Sequence, residues 1–327
     1  MKRPSISRLL AGCTWLYAAS VLALWGVLRC GGDRWWWATV LLFGPQWIYA
    51  APLAVLFPAA VVWRRRALLV LAAAATVVVL LVMGFCVPSP QRGADGGASL
   101  RVLSCNLDGP KCKVELLEAL VREIVPDVMA FQECPDDVVE VLIAQGGWYV
   151  ERSGRLCVAS RYRLAVGPAL IDDGQLGYWG AWAAKYTASA PDGDMDFVVV
   201  HLETPREGFE SLMRHGVGGR HDVQNELVRR ARISELARAL AGDGPTLIVA
   251  GDFNMPCDSA IYRRHWAGLS NAFSEAGFGF GSTKRTRWFG IRIDHVLAGP
   301  GWHVERAWVG AYIGSSHRPL IVQLARR

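Results

Sequence analysis

Three long runs of apolar residues dominate the first quarter of the chain. They cover about residues 9–28, 36–62 and 67–87, and arginines stand at their boundaries. Roughly 20 consecutive apolar residues suffice for a helix to cross a bilayer. The pattern therefore predicts a membrane anchor over residues 1–87 with three transmembrane α-helices. The second run contains three prolines, which predict a kink: Pro45, Pro52 and Pro58.

Basic residues beside these runs predict the orientation of the anchor. The amino terminus carries Lys2, Arg3 and Arg8, and the segment 64–66, three consecutive arginines, separates the second run from the third. Lys and Arg favour the cytoplasmic side, so both segments are expected there. The chain is then a multi-pass protein of the inner or plasma membrane, with residues 88–327 outside the cytoplasm. A cleaved signal peptide is the alternative for the first run, but no A-x-A site follows it.

The pattern changes after a Pro- and Gly-rich linker at residues 88–98. Short apolar runs predict strands at 100–107, 127–133, 156–162, 179–188, 195–203, 246–253, 293–299 and 319–325. Apolar residues at helical spacing predict helices at 113–124, 136–145 and 221–240. Strands interspersed with helices indicate a layered α/β domain over residues 99–327.

Charge is unevenly distributed along the chain. The formal net charge is +6, but residues 1–94 carry nine Lys and Arg against one acid, and the rest of the chain carries 26 against 28. The predicted domain is thus slightly acidic, and affinity for nucleic acid must come from a local patch. A nucleotide or flavin enzyme has no support, because neither a P-loop nor a G-x-G-x-x-G after a strand occurs.

Eight cysteines are present, and five of them follow residue 87. An odd number excludes a complete disulfide framework in that region. Cys105 and Cys134 are expected as small buried side chains. A bridge between them is the alternative in an oxidising compartment.

Polar side chains stand where five predicted strands end, and a sixth polar group precedes the last strand. They are Asn106 and Asp108, Glu133, His201, Asp252 and Asn254, Asp294 and His295, and the segment Ser315–Pro319. One such group is typical of a solvated turn. Six groups that share Asn, Asp, Glu and His predict a common site.

These residue types suit metal-assisted attack of water on a phosphate ester. Mg²⁺ prefers carboxylate oxygens, which Glu133 and Asp108 can supply, and Mn²⁺ can substitute for it. Asp252 can accept a proton from the attacking water. An Asp beside a His can orient the ring toward developing charge. Asn106 and Asn254 can hold the water or a phosphate oxygen without adding charge.

Six motifs in order resemble those of the endonuclease/exonuclease/phosphatase superfamily: CNLDG, FQE, VVHLETP, GDFNMP, RIDHVLAG and SHRPL. The resemblance covers about residues 99–327. It implies a four-layer α/β sandwich of two packed mixed sheets and a Mg²⁺-dependent phosphoric ester hydrolase. The apolar runs would make this chain a membrane-anchored, bacterial-type member that contacts the lipid bilayer.

The resemblance also implies roles for individual positions. The principal metal ligand would be Glu133, with Asp108 and Asn106 nearby, and Asp294 would orient His317. The other catalytic residues would be His201, which contacts the scissile phosphate, and Asp252 with Asn254, which position and deprotonate the water.

Ser316 departs from the family pattern, in which a metal-ligating Asp stands before the final histidine. Ser offers no charge to a metal ion. The chain is therefore either an enzyme with an altered metal site or a non-catalytic membrane scaffold on the same fold, and the other intact motifs favour the enzyme.

The substrate is predicted only as a phosphodiester. Arg206 and the basic segment 284–287 are candidates for binding phosphate, and Trp288 follows them. A nuclease acting outside the cytoplasm is the favoured interpretation. A phosphodiesterase of lipid head groups, similar to sphingomyelinases, is the alternative, because a membrane anchor would bring lipid within reach. The sequence does not predict the oligomeric state.

Overall fold

The structure, a computed structural model, describes residues 3–88, 99–173 and 179–327. The chain divides into two units. One comprises Met1–Phe85 with Asp258–Ala260, and the other comprises Cys86–Cys257 with Ile261–Arg327. Apart from Pro88, the predicted linker at 88–98 lies outside the described residues.

The first unit is helical. Its helices are α1 (Arg3–Gly31), α2 (Trp36–Phe43), α3 (Leu53–Trp63) and α4 (Ala67–Thr76), with a 3-10 turn at Gln46–Ala50 and a π-helical turn at Val77–Val82. Many large apolar side chains of this unit are exposed, and Leu69 reaches 80%. Such exposure is costly in water, so this surface is suited to an apolar environment.

Two helical segments of the first unit are long and apolar enough to cross a membrane: Ile6–Gly31 and Gln46–Trp63. In the most apolar 18-residue stretch of each segment, only 22% of the first and 6% of the second is buried. A core helix of a soluble protein is mostly buried. The first segment, which lies near the amino terminus, would also fit a signal sequence. The third apolar helix, Ala67–Val82, is shorter. The prediction of three transmembrane helices is therefore wrong in number.

Proline explains why the second predicted span, 36–62, is not one continuous helix. Helix α2 ends at Phe43, Pro45 precedes the 3-10 turn, and Pro52 precedes α3. Proline has no backbone N–H donor and clashes with the preceding turn, so it weakens a helical hydrogen-bond ladder and commonly ends or kinks the helix. The predicted kink is a break. Pro58 is accommodated inside α3.

The second unit contains two six-stranded sheets. The first sheet has the order β13-β14-β1-β2-β4-β3. Its strands are β1 (Ser99–Asn106), β2 (Val128–Gln132), β3 (Tyr149–Ser153), β4 (Leu156–Ser160), β13 (Trp302–Val309) and β14 (Leu320–Arg326). Only β1 and β2 run parallel, with α5 (Val114–Ile124) between them in sequence, so both end at the same edge.

The second sheet has the order β5-β6-β7-β8-β12-β9. Its strands are β5 (Arg163–Asp173), β6 (Trp179–Ala190), β7 (Gly193–His201), β8 (Ile248–Asp252), β9 (Ser270–Asn271) and β12 (Asp294–Ala298). Here β7 and β8 run parallel, and α7 (Arg206–His215) and α8 (Arg220–Ala241) connect them. Both sheets are therefore mixed, as predicted.

The remaining elements of this unit are short. They are α6 (Asp136–Gln145), α9 (Ala260–His265), α10 (Ala272–Ala276), β10 (Lys284–Arg285) and β11 (Gly290–Ile291). Strands β10 and β11 pair with each other as a separate hairpin. The predicted helices at 113–124, 136–145 and 221–240 coincide with α5, α6 and α8 to within one residue at each end.

Alternating residues of the strands build two apolar layers. Val102 and Val128 of the first sheet join Phe197 and Ile248 of the second in one buried cluster, so the sheets pack face to face. On the other side of the first sheet, the buried cluster includes side chains of α5 and α6. Helix α8 contacts β5 and β6 of the second sheet. The fold is the predicted α/β sandwich.

The eight cysteines are all free thiols. Cys105, Cys112, Cys134 and Cys157 lie in the buried cluster between the first sheet and its helices. Cys105 and Cys134 thus serve as small buried side chains, and the alternative of a bridge between them is not realised.

Candidate active site

Three predicted site residues lie side by side at one edge of the second sheet. His201 ends β7 and is in register with Asp252, which ends β8. Asp252 is in turn in register with Asp294, the first residue of β12. Because residues directly opposite each other on neighbouring strands share a face of the sheet, these three side chains are brought together by strand pairing alone.

The first sheet adds residues at the same edge of the sandwich. Asn106 ends β1 in register with Gln132 of β2, and Glu133 follows directly. The Asn106 amide donates hydrogen bonds to Glu133 Oε1 and to Asp252 Oδ2, both at 3.1 Å. The second of these bonds joins the two sheets, so the strand ends of both form one cluster.

Three of the predicted residues adopt left-handed backbone conformations. The φ angles are 57° for Asp108, 49° for Glu133 and 51° for Asn254. Non-glycine residues rarely adopt this region, and it costs about 1 kcal/mol or more at each. They lie one or two residues after strands β1, β2 and β8, so the backbone turns sharply where these strands reach the cluster.

Asp252 is the centre of the cluster. Its Oδ2 lies 3.8 Å from His201 Nε2, 3.7 Å from His317 Nε2 and 3.1 Å from Asn106 Nδ2. The carboxyl group is almost completely buried. Burial and the neighbouring charge of Asp294 raise its pKa above the usual value, against the opposing effect of the two histidines.

His317 is held by Asp294. The ring Nδ1 lies 2.9 Å and 3.1 Å from the two carboxylate oxygens, and both residues are buried. Burial alone would lower the pKa of His317, but Asp294 and Asp252 outweigh it and raise the pKa. Burial would raise the pKa of Asp294, but His317 outweighs it and lowers the pKa. The pair is thus suited to carry a proton on the ring.

Glu133 has a more accessible carboxylate than Asp252, the other acid that lies near His201. Its side chain is 28% exposed and lies 3.8 Å from His201 Nε2 and 3.7 Å from the Arg155 guanidinium. A carboxylate that is partly open to solvent can exchange water for a hard cation.

Asp108 has a different environment from Glu133. Its carboxylate accepts a hydrogen bond from Ser316 Oγ at 2.6 Å and bonds from Lys111 Nζ at 3.1 Å to both oxygens. Only its backbone N–H, which donates to Asn106 Oδ1, links it directly to the predicted metal-ligand set. Asp108 therefore lies at the side of the cluster, next to Ser316.

Asn254 is directed away from the centre. Its side-chain amide donates to the Leu202 carbonyl at 2.8 Å, and its backbone N–H donates to Asp252 Oδ1 at 2.9 Å. Arg230 of α8, which is buried, donates to the Asn254 carbonyl at 3.1 Å. Asn254 and Arg230 thereby fix the turn that presents Asp252.

Arg206 stands apart from the cluster. It is the first residue of α7 and is exposed. In the described parts of the chain, no hydrogen bond or ion pair connects it with Glu133, Asp252 or His317. Its proposed contact with substrate stays a prediction.

Sequence reasoning gave no individual role to three cations that the structure brings to the cluster: Lys111, Arg155 and Lys284. Lys284 belongs to the basic segment 284–287, and its ammonium lies 2.7 Å from Ser316 Oγ and 3.0 Å from His317 Nε2. Lys111 follows Asp108 by three residues, a spacing that could have indicated an ion pair. Arg155 carries no local signal.

The donor set fits a divalent cation at Glu133. The carboxylate is partly exposed, and Mg²⁺ commonly uses one or two carboxylates together with water and substrate phosphate. A second group, formed by Asp252, Asp294 and His317, has its ligand atoms within 4.8 Å of one another. In that group the Asp294 oxygens and His317 Nδ1 are already bonded to each other, which favours Glu133.

Glu226 of α8 is largely buried and accepts a hydrogen bond from the first turn of α7. Its Oε2 accepts the Gly208 N–H at 3.1 Å, while its buried Oε1 has no hydrogen-bond partner in the described residues. Burial raises the pKa of Glu226 to about 7. The charge of Arg230 would lower this pKa, but its effect is smaller than that of burial. Between the unfolded value near 4.5 and the folded value, the folded state holds a proton that the unfolded state has lost, so stability falls as pH rises.

Replacement of Glu226 by Gln should remove this pH dependence. Gln keeps the acceptor for Gly208 and has no charge to desolvate. At pH 8 the variant should be more stable than the unaltered chain by at most ~3 kcal/mol, and at pH 4 the two should be equal. Thermal unfolding in detergent across this pH range measures the difference. Glu210→Gln, at an exposed position, is the control. If stability changed with pH in the same way in all three proteins, Glu226 would not be the source of the pH dependence.

The second unit of the chain is thus an α/β sandwich in which carboxylate, amide and imidazole groups from the strand ends of both sheets form one cluster. The sequence profile described as the Endonuclease/Exonuclease/phosphatase family matches residues 102–317. This segment is well over half of the 327 residues, and the chain belongs to that family. No curated protein matches the chain.

Solved structures share the fold at low sequence identity. An endonuclease/exonuclease/phosphatase from Beutenbergia cavernae is 17% identical, with a TM-score of 0.53 over 70% of this chain and 72% of that one. The 3′ phosphatase NExo from Neisseria, bound to a product DNA hairpin, is 16% identical, with a TM-score of 0.51 over 68% and 98%. An AP endonuclease from Archaeoglobus fulgidus is 14% identical, with a TM-score of 0.50 over 68% and 98%.

Proposed function

We propose that the chain is a Mg²⁺-dependent phosphodiesterase, able to use Mn²⁺, that attacks a phosphate ester with water. The observation that carries the proposal is the convergence of His201, His317 and Asn106 on one oxygen of Asp252. Membership of a family of phosphoesterases supports the same reaction type. A scaffold would not need a buried carboxylate with a raised pKa beside two imidazoles, which is costly to maintain.

Each residue of the cluster has a role in this reaction. A divalent cation held by Glu133 would neutralise charge on the phosphate. Asp252 takes the proton of the attacking water, and its raised pKa makes it a stronger base. Asn106 orients both carboxylates, since its amide bonds to each.

The two histidines serve the charge that develops on the phosphate oxygens. His317 carries a proton because Asp294 stabilises the imidazolium, and its Nε2 faces the centre of the cluster. His201 Nε2 lies between Glu133 and Asp252, at 3.8 Å from each. It can donate to a phosphate oxygen that enters between these carboxylates. Asn254 acts through the backbone by fixing Asp252.

Nucleic acid is the proposed substrate. The hairpin β10–β11 begins at Lys284 beside His317 and carries exposed Arg285, Arg287 and Trp288 toward its tip. Trp288 is 73% exposed, and the Arg287 guanidinium lies 5.2 Å from its ring centroid. Cations that contact phosphates beside an aromatic ring that stacks on a base are features of nucleic-acid binding. A lipid head group is the second candidate, because the same chain carries two apolar helices.

The proposed location is a membrane, and the exposed apolar surface of the helical unit supports it. Two spans would leave the α/β unit on the side of the amino terminus, which its basic residues favour as cytoplasmic. Intact spheroplasts that carry the chain should then hydrolyse added substrate only after lysis. Hydrolysis before lysis would place the α/β unit outside the cytoplasm.

The test compares four substrates with the full chain in detergent: plasmid DNA, single-stranded RNA, sphingomyelin and phosphatidylinositol phosphates. Hydrolysis of DNA or RNA that stops with EDTA supports the proposal, and hydrolysis of the lipids alone would favour the second candidate. Glu133→Gln should weaken Mn²⁺ binding by about 10–100-fold and lower turnover. Glu210→Gln is the matched control. A folded chain that binds no metal and hydrolyses nothing would favour the scaffold.

A further inference from the structure

Positive charge already surrounds one side of the proposed catalytic cluster. Asp108 there accepts bonds from Ser316 Oγ and Lys111 Nζ, so both of its carboxylate oxygens are occupied. Burial would raise the pKa of Asp108, but Ser316 and the two lysines outweigh it and lower the pKa. Asp108 is thus a stably ionised carboxylate whose charge the protein itself compensates.

Lys284 is fixed beside this group. Its ammonium donates to Ser316 Oγ at 2.7 Å and lies 3.0 Å from His317 Nε2. The backbone holds the segment in place, because Arg285 N–H donates to the Ser316 carbonyl and Arg318 N–H donates to the Thr283 carbonyl. A lysine on a free surface is flexible, whereas this one is partly buried and positioned at both its backbone and its head group.

The hydrogen-bond capacity of Lys284 leaves room for a ligand. An ammonium has three N–H donors. Ser316 takes one, and the His317 ring takes a second when its Nε2 carries no proton. When the ring is protonated at Nε2, that donor is released as well. One or two N–H groups can therefore turn toward an anion that reaches His317.

The balance of charge also limits the number of metal ions. Four carboxylates belong to the cluster: Asp108, Glu133, Asp252 and Asp294. Three fixed cations contact its members: Lys111, Lys284 and Arg155. One negative charge is left when both histidines are neutral, and none is left when His317 carries a proton. A single divalent ion makes the site positive, as an anionic phosphate requires, and a second ion would have to bind next to two ammonium groups.

We propose that the Lys284 ammonium is a catalytic cation that contacts the phosphate of the substrate, so that the chain operates with one divalent metal ion, at Glu133. The inference rests on the proposed phosphodiesterase function and adds to it a residue and a metal stoichiometry. Ser316 fits this arrangement, because a neutral hydroxyl can accept from the ammonium and donate to Asp108 at the same time.

Metal and phosphate binding test the inference without any turnover. Calorimetry of the full chain in detergent should find one Mn²⁺ per chain. Lys284→Met should keep this stoichiometry and bind inorganic phosphate, in the presence of Mn²⁺, at least ~10-fold more weakly, as expected for a lost charge-assisted hydrogen bond. Lys284→Arg should recover part of the affinity. The control is Lys113→Met, the same change at an exposed lysine.

Turnover of bis(p-nitrophenyl) phosphate supplies the second readout, because this diester has neither a base nor a lipid. Lys284→Met should lower kcat by about 10²–10³-fold, as for the loss of one preorganised donor, while Lys113→Met should not change it. Two Mn²⁺ ions per unaltered chain, or a Lys284→Met variant equal to Lys113→Met in both readouts, would overturn the inference.

The experiments distinguish failure of the proposed phosphodiesterase function from failure of the proposed role of Lys284. If no ester is hydrolysed but phosphate binding depends on Lys284, the proposed function is lost and Lys284 remains an anion-binding residue next to one metal ion. If hydrolysis depends on Asp252 and not on Lys284, the function stands and the inference is wrong.

Discussion

Replacement of Asp252 by Asn should lower kcat for phosphate-ester hydrolysis by about 10²–10⁴-fold, the usual contribution of a general base. The amide is nearly the same size but cannot accept a proton from water. Its oxygen can still accept the Asn254 N–H that fixes the turn. Removing the buried charge also relieves repulsion with Asp294, so the variant should remain folded.

The control for this change is Asp243→Asn, because Asp243 is 88% exposed and forms a surface ion pair with Arg238. Initial rates on bis(p-nitrophenyl) phosphate and thermal unfolding in detergent measure both effects. Asp252 is not the base if the Asp252→Asn variant keeps the rate of the control. A large loss of stability would make the kinetic result uninterpretable as a base effect, and Asp252→Ser then serves as a second replacement.

The second large effect concerns the buried pair of His317 and Asp294. His317→Gln should lower kcat by about 10²–10³-fold, because a donor aimed at the phosphate is lost. It should also destabilise the fold by about 3 kcal/mol or more, since Asp294 is left buried without its cation. Asp294→Asn should lower kcat as well, because the ring loses the group that holds its orientation and charge.

The double variant separates the catalytic role from the structural one. With both residues neutral, stability should recover toward that of the unaltered chain, whereas kcat should stay as low as in His317→Gln alone. Thermal unfolding and initial rates measure the two quantities on the same preparations. Recovery of activity together with stability would show that the pair only supports the fold.

Much of the site could be predicted because its residues are tied to strand ends. Asn106, His201, Asp252 and Asp294 each terminate or begin a strand whose apolar run is visible in the sequence. Pairing in register then brings neighbours together without any further information. Helices α5, α6 and α8 were equally visible from their apolar spacing, whereas α7 was not predicted.

Other features carry no such local signal. Strand β10 has two residues, which is too short for a pattern, so the contact of Lys284 with His317 arises only from the docked hairpin. Strand β5 was missed because its residues do not alternate cleanly and its pairing with β6 shifts register twice. Asn254 was placed correctly in the turn, but its side chain bonds to a carbonyl more than 50 residues away, which no spacing predicts.

The second apolar run shows what composition alone does not predict. Residues 36–62 lack charge throughout, which predicted one span, but prolines divide them into separate helices. Composition measures how well a segment tolerates an apolar solvent, and the backbone decides whether it forms one continuous helix.

The cluster is proposed to direct water onto phosphorus. The most direct test follows one phosphodiester that the full chain hydrolyses, in ¹⁸O-enriched water, with ³¹P spectroscopy of the product. One ¹⁸O atom is expected in the phosphate product at each single hydrolysis, with Mg²⁺ required and no detectable product from Asp252→Asn on the same timescale. Product that carries ¹⁸O on the alcohol, or hydrolysis that survives both EDTA and Asp252→Asn, would contradict this role of the cluster.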